Sequence, residues 1–162
     1  MDDEDNETGI PHPLTLLYCA VLALIFGRAA AIVLDFVFEL AFDLFRKGLL
    51  REPLYTWTLG GVHLALYVCD GILLAFFIRL LTGRSWRASA AWGFLCSVAT
   101  SVVSAALSMS FSRVIWDLRH APLEIASLAL GCVVGARLCV EYEYHEPVRA
   151  FRELLMRFVV WR

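Results

Sequence analysis

The sequence predicts an all-α polytopic membrane protein: a four-helix transmembrane bundle followed by a C-terminal interfacial amphipathic helix. Three observations predict it. Hydrophobic residues make up 60% of the 162, whereas soluble domains carry about 45–50%. Four separate stretches approach the roughly 20 apolar residues that cross a hydrocarbon core of about 30 Å. One of them, Ala88–Phe111, holds no charge and repeats Ala90, Gly93, Ser97, Ser101, Ser104 and Ser108 at intervals of three or four. On a helix these small residues share one face. Such faces let a neighbouring backbone come close, and their hydroxyls hydrogen-bond across the contact. Ala88–Phe111 is therefore expected to be the central packing helix.

The elements follow in order. Residues 1–13 form an acidic tail expected to be disordered. They lack the basic n-region of a cleavable signal peptide, so the first apolar stretch is expected to be a retained span. Asn6-Glu7-Thr8 is a formal glycosylation sequon, expected to be unused so close to a span. Pro11 and Pro13 fit a helix start near Leu14. The first span covers about 14–34, but the helical pattern runs on through Asp35, Glu39 and Asp43 to Lys47. Arg28 lies seven residues before Asp35, on the same face. A helix that long exceeds a straight crossing. Either an amphipathic extension lies in the interface, or a tilted helix turns a polar stripe (Arg28, Asp35, Glu39) toward the bundle interior.

The second span covers about 56–81. Gly60-Gly61 near its start permits close packing, and Arg79 near its end can snorkel. His63, Tyr67 and Asp70 stand at i, i+4 and i+7, hence on one face. An ionisable residue within a span is a candidate functional site because it is expensive there. The set reads as hydrogen-bonding glue within the bundle or toward a partner, with proton or ion handling and metal binding as alternatives. After a basic turn with Trp86, and Trp92 suited to the interface, the third span covers 88–111. Ser112–Ala121 is expected to be a loop with Trp116 as an interfacial anchor, and Pro122 a helix start.

The fourth span covers about 122–140. Ser127, Gly131, Gly135 and Cys139 repeat every four residues, and Gly131/Gly135 form a GxxxG pair. Facing the serine-rich third span, this ladder predicts a tight third–fourth hairpin. Glu124 and Arg137 bracket the span near opposite interfaces. Glu141–Glu146 is a polar hinge whose E-x-E-x-H reads as a solvated loop rather than a cation site. Pro147 opens a helix over 147–162 with Val148, Phe151, Leu154, Leu155, Phe158 and Val159 on one face. Arg149, Arg152 and Arg157 lie mainly off that face, suited to an anionic membrane surface. Lys and Arg near the spans favour the side holding both termini and the middle loop, seven to five, so both termini are expected to be cytoplasmic.

Composition narrows function. A net charge of −2 gives no basis for binding nucleic acid. The five cysteines are scattered singly and odd in number, which predicts packing roles rather than disulfides or zinc. Cys19 and Cys139, near span ends, are formal palmitoylation candidates. No P-loop, GxGxxG, HExxH or GxSxG occurs, so neither enzyme activity nor a cofactor or metal is expected.

His63–Val68 and Gly71–Leu74 in the second span, Trp92-Gly93 with Cys96 opening the third, Leu130–Ala136 in the fourth and Phe151–Trp161 in the tail form a recognisable series. Together they resemble the alphaherpesvirus virion egress protein family, small four-span membrane partners of glycoprotein K. The resemblance implies a non-enzymatic viral membrane protein of host endoplasmic reticulum, Golgi and nuclear membranes and of the virion envelope. It would associate with a glycoprotein K-like partner and support envelope trafficking, virion egress and membrane fusion. Two alternatives stand beside that scaffold reading. One is a small ion- or proton-conducting, viroporin-like protein using Arg28, Asp35, Glu39, His63 and Asp70. The other is an accessory subunit of a cellular membrane complex.

Overall fold

The computed structural model describes residues 11–108 and 111–159, with side chains described except over 101–121 and 158–159. Among the described residues five helices follow one another: α1 Pro13–Arg46, α2 Glu52–Thr82, α3 Trp86–Ser108, α4 Phe111–Tyr142 and α5 Glu146–Val159. Among the described residues there is no strand. Helices α1, α2 and the Pro122–Tyr142 part of α4 are each long and apolar enough to cross a membrane, consistent with an integral membrane protein. The tail over 1–10 lies outside the described residues, as do the side chains of Ser101, Ser104 and Ser108 on the expected third span.

The helix ends follow local chemistry. Pro13 occupies the first turn of α1, where its missing N–H costs nothing, and Nδ1 of His12 accepts the Leu14 N–H at 3.3 Å. The helix then runs unbroken for 34 residues, about 51 Å, through the Asp35–Asp43 segment. It stops at Gly48, whose φ of 70° suits glycine. There Gly48 N–H donates to Phe45 O at 2.9 Å and Leu49 N–H to Leu44 O at 3.0 Å, a Schellman closure. No described atom lies within 4 Å of a Cβ built at Gly48, so only backbone strain opposes a side chain there. Gly48→Ala should cost about 1 kcal/mol in an unfolding titration and leave the bundle's packing unchanged. Helix α2 also ends on a left-handed glycine, Gly83 at φ 64°, whose N–H closes a single bond to Arg79 O at 2.9 Å. Ser85 caps α3 by accepting the Ala88 N–H at 3.3 Å.

One expected boundary is wrong. Helix α4 begins at Phe111, and the expected loop over 112–121 is helical, with Pro122 inside the helix. No glycine or proline precedes Pro122 in that segment to end a helix. The proline removes one N–H and frees the carbonyl four residues earlier, a loss that bundled membrane helices tolerate.

The centre of the molecule is α2, which touches all four other helices and packs most extensively on α4. This corrects the expectation that Ala88–Phe111 is central. Helices α1 and α2 are antiparallel, with Phe26 against Phe77 (5.4 Å) at one end and Phe45 stacked on Tyr55 (4.4 Å) at the other. Helices α2 and α4 run parallel. Their contact is made by glycines. A Cβ at Gly71 would stand 2.5 Å from Leu128 O and 2.9 Å from Cys132 N. One at Gly131 would strike Val68 O, and one at Gly135 would strike Ile72 O. The GxxxG pair therefore seats on α2 rather than on α3. Helix α3 packs against both: a Cβ built on its Gly93 would stand 3.0 Å from Ala75 Cβ, and Ala90 joins a small-residue cluster with Ala75, Cys132 and Ala136. By contrast Gly60 and Gly61 have no described atom within 4 Å of a built Cβ and make no close contact.

The main core lies at the end where the start of α1 meets the ends of α2 and α4, through Cys19, Leu22, Leu74, Phe77, Ile78, Leu81 and Cys139. Helix α5 joins it. Leu155 is 5% exposed, and Val148, Phe151 and Met156 pack alongside. The α5 apolar face thus rests on the bundle rather than solely on lipid. Leu155→Ala should therefore cost about 2–3 kcal/mol, while Leu154→Ala, at a position 52% exposed, should cost little. Equal losses in limited proteolysis of the tail would place the whole face on the bilayer instead.

Candidate functional site

Helix parallelism builds two ionic layers and a polar cleft between them. At one level Nε2 of His63 on α2 meets Oε1 of Glu124 on α4 at 3.0 Å, an ion pair when the imidazole is protonated. The His63 ring also stands edge-on to Tyr67, centroids 5.3 Å apart. At the other level Nη2 of Arg79 donates to Oε2 of Glu143 at 3.1 Å, and Nη1 of Arg152 on α5 to Oε1 of the same carboxylate at 3.5 Å. Arg79 also donates to Gly83 O at 3.3 Å. At about 1.5 Å per residue the His63 and Arg79 layers lie roughly 24 Å apart along α2. Beside the second layer Trp86 receives two guanidinium groups in cation–π contact, Arg137 at 4.2 Å and Arg87 at 5.5 Å from its ring centroid.

Between the layers a cleft of about 260 Å³ is lined by Val21 and Leu24 of α1, Tyr67 and Asp70 of α2, Ser97 and Thr100 of α3 and Leu128 of α4. Thr100 satisfies its hydroxyl within its own helix, donating to Ser97 O at 2.9 Å. Asp70 is exposed in this cleft and makes no ion pair with a described residue. His63, Tyr67 and Asp70 thus share a face but do not form one self-satisfied set, since His63 is taken up by α4.

The other sequence candidates fall as follows. Gly93, Ser97, Gly131 and Gly135 are buried packing residues and Ser127 is half-buried. Arg28, Asp35 and Glu39 are all exposed, and none has an ion pair among the described residues. A stripe turned into the bundle interior is therefore excluded for these side chains. The exposed Asp43–Lys47 pair at 3.5 Å fits the amphipathic extension instead. Arg149 and Arg157 are exposed, but Arg152 turns inward to Glu143. Among the described residues no three His, Cys, Asp or Glu are grouped to hold a metal ion. Sequence reading did not connect Glu124 or Glu143 to α2. The available signal was charge complementarity at matching ends of two spans: His63 and Arg79 on one, Glu124 and Glu143 on the other.

No protein-family model, curated protein or solved structure matches the chain.

Proposed function

We propose that the chain is a non-enzymatic scaffold or trafficking protein that crosses the bilayer four times with both termini cytoplasmic. It associates with a partner membrane glycoprotein and supports viral envelope trafficking, virion egress and membrane fusion. The viral part of this reading rests on the resemblance to the alphaherpesvirus egress family. The observation that carries the scaffold part is the position of α1. Gly71, Gly131 and Gly135 are consumed at the α2–α4 contact, whereas α1 packs chiefly on α2 and exposes Ile32, Val33 and Phe36. A membrane helix that packs mainly on one neighbour and keeps a free apolar flank offers van der Waals packing to another protein's span. Ile32→Ala with Phe36→Ala should reduce capture of a glycoprotein K-like partner from native membranes without lowering bundle stability. Unchanged capture and unchanged glycoprotein surface arrival would overturn the reading.

A second reading, a small proton- or ion-conducting protein, is favoured by Asp70 standing with Tyr67, Ser97 and Thr100 in the cleft. It expects flux through liposomes that Asp70→Asn abolishes. Silent liposomes at high protein density would sink it.

A further inference from the structure

Arg28 and Asp70 are opposite charges at one depth, and neither has an ion pair among the described residues. Asp70 Oδ1 lies 3.0 Å from the place a Cβ on Gly27 would take, so Arg28, the next residue, is level with Asp70 to within a residue or so. That level lies between the two ionic layers, about 10 Å along α2 from His63 and about 14 Å from Arg79. A lone carboxylate or guanidinium there is expensive and calls for a partner. Both groups belong to the same side of the molecule. Val21 and Leu24 line the cleft that holds Asp70, and Arg28 continues their helical stripe at i+7 and i+4. Both are exposed.

Equal depth decides what can cover them. A two-fold axis normal to the bilayer preserves depth, and an isologous interface needs a self-complementary patch, in which residue i meets j and j meets i. One cation and one anion, level with each other on one face, satisfy that condition. An unrelated helix would have to bring its own matching pair. We propose that the chain self-associates as a two-fold dimer through the α1–α2 cleft face, with Arg28 of each copy paired to Asp70 of the other. All four mid-depth charges are then neutralised, and each guanidinium enters a cleft that also offers Ser97 and Thr100. This goes beyond the scaffold reading and stands whether or not a glycoprotein partner exists.

Charge reversal tests it in the full-length protein, using two-colour labelled chains in liposomes. Wild type should show energy transfer between copies. Arg28→Asp alone and Asp70→Arg alone should each weaken self-association roughly tenfold or more. Mixing those two single variants should restore it in mixed dimers only, because one copy then carries two acids and the other two bases. The doubly reversed chain should associate with itself. Rescue by the double variant without rescue by the mixture would mean that the two residues pair within one chain, and would overturn the proposal. Monomeric wild type, undiminished association of the single variants, or capture of a different membrane protein on this face would overturn it as well. Should a reversed chain fail to insert, Arg28→Gln and Asp70→Asn, which introduce no repulsion, should each weaken association, and unchanged association of both would equally refute it.

Discussion

Gly135→Ala is expected to push α2 and α4 apart and to cost about 3 kcal/mol, with Gly135→Leu abolishing the folded bundle. The methyl would meet the Ile72 carbonyl, with Ile72 Cα only 2.6 Å away. These are backbone atoms, so no side-chain rotation relieves the clash and one helix must move. Moving it is costly because the contact is reciprocal. Gly71 of α2 sits on Leu128 and Cys132 one turn from where Gly131 sits on Val68. A shift that accommodates residue 135 therefore opens the Gly71 and Gly131 contacts too, and the dispersion attraction that holds membrane helices together falls off steeply with distance. Gly60→Ala and Gly61→Ala are the controls. With no described atom within 4 Å, each should be neutral or stabilising by about 0.5–1 kcal/mol through helix propensity. Reversible unfolding in mixed micelles, followed by tryptophan fluorescence, distinguishes the two classes. Equal effects at positions 61 and 135 would mean that α4 does not seat on α2 through this face.

That comparison also marks how far the sequence could be read. Spacing alone picked out Ala90, Gly93 and Ser97 on one side and Gly131 and Gly135 on the other as packing faces, and all five are buried. It could not pair the faces. A glycine groove needs only a backbone opposite it, and Val68 and Ile72 carry no compositional mark of being that backbone. The same blindness made Gly60-Gly61 look equivalent to Gly131/Gly135. Pro122 reads as a start because its missing N–H suits a first turn best, although an interior position costs only what the surrounding packing can cover. The continuation of α1 to Arg46 was visible in the i+4 series Asp35, Glu39, Asp43. The side that series faces depended on where α2 lay. For the candidate site, His63 and Asp70 were legible as costly residues. Their separate fates, one bonded to Glu124 and the other open in the cleft, follow from the parallel course of α4, which no local pattern encodes.

The second large effect is expected at Glu143. Glu143→Ala should cost about 3 kcal/mol and release α5. The side chains of Arg79 and Glu143 are only 15% and 19% exposed, so their pair is poorly screened, and the same carboxylate holds Arg152. Removing it leaves two guanidinium groups facing each other with no counter-charge among the described residues, and Arg79 is too enclosed to regain full hydration. Removing Arg152 instead leaves the better pair intact. Its contact is longer, 3.5 Å, and its side chain is 36% exposed, so Arg152→Ala should cost nearer 1 kcal/mol. Glu143→Gln should fall between, keeping hydrogen-bonding capacity while losing charge. The order alanine, glutamine, then Arg152→Ala is checked by unfolding together with protease cleavage in the segment between α4 and α5. An Arg152→Ala loss as large as that of Glu143→Ala would show that docking of α5, rather than the Arg79 pair, is the principal energy. The consequence for function is directional. While Glu143 holds Arg152 and Leu155 is seated in the core, α5 is fixed against the helices it packs on. Arg149 and Arg157 are then held exposed on a fixed platform at the same end as Trp86.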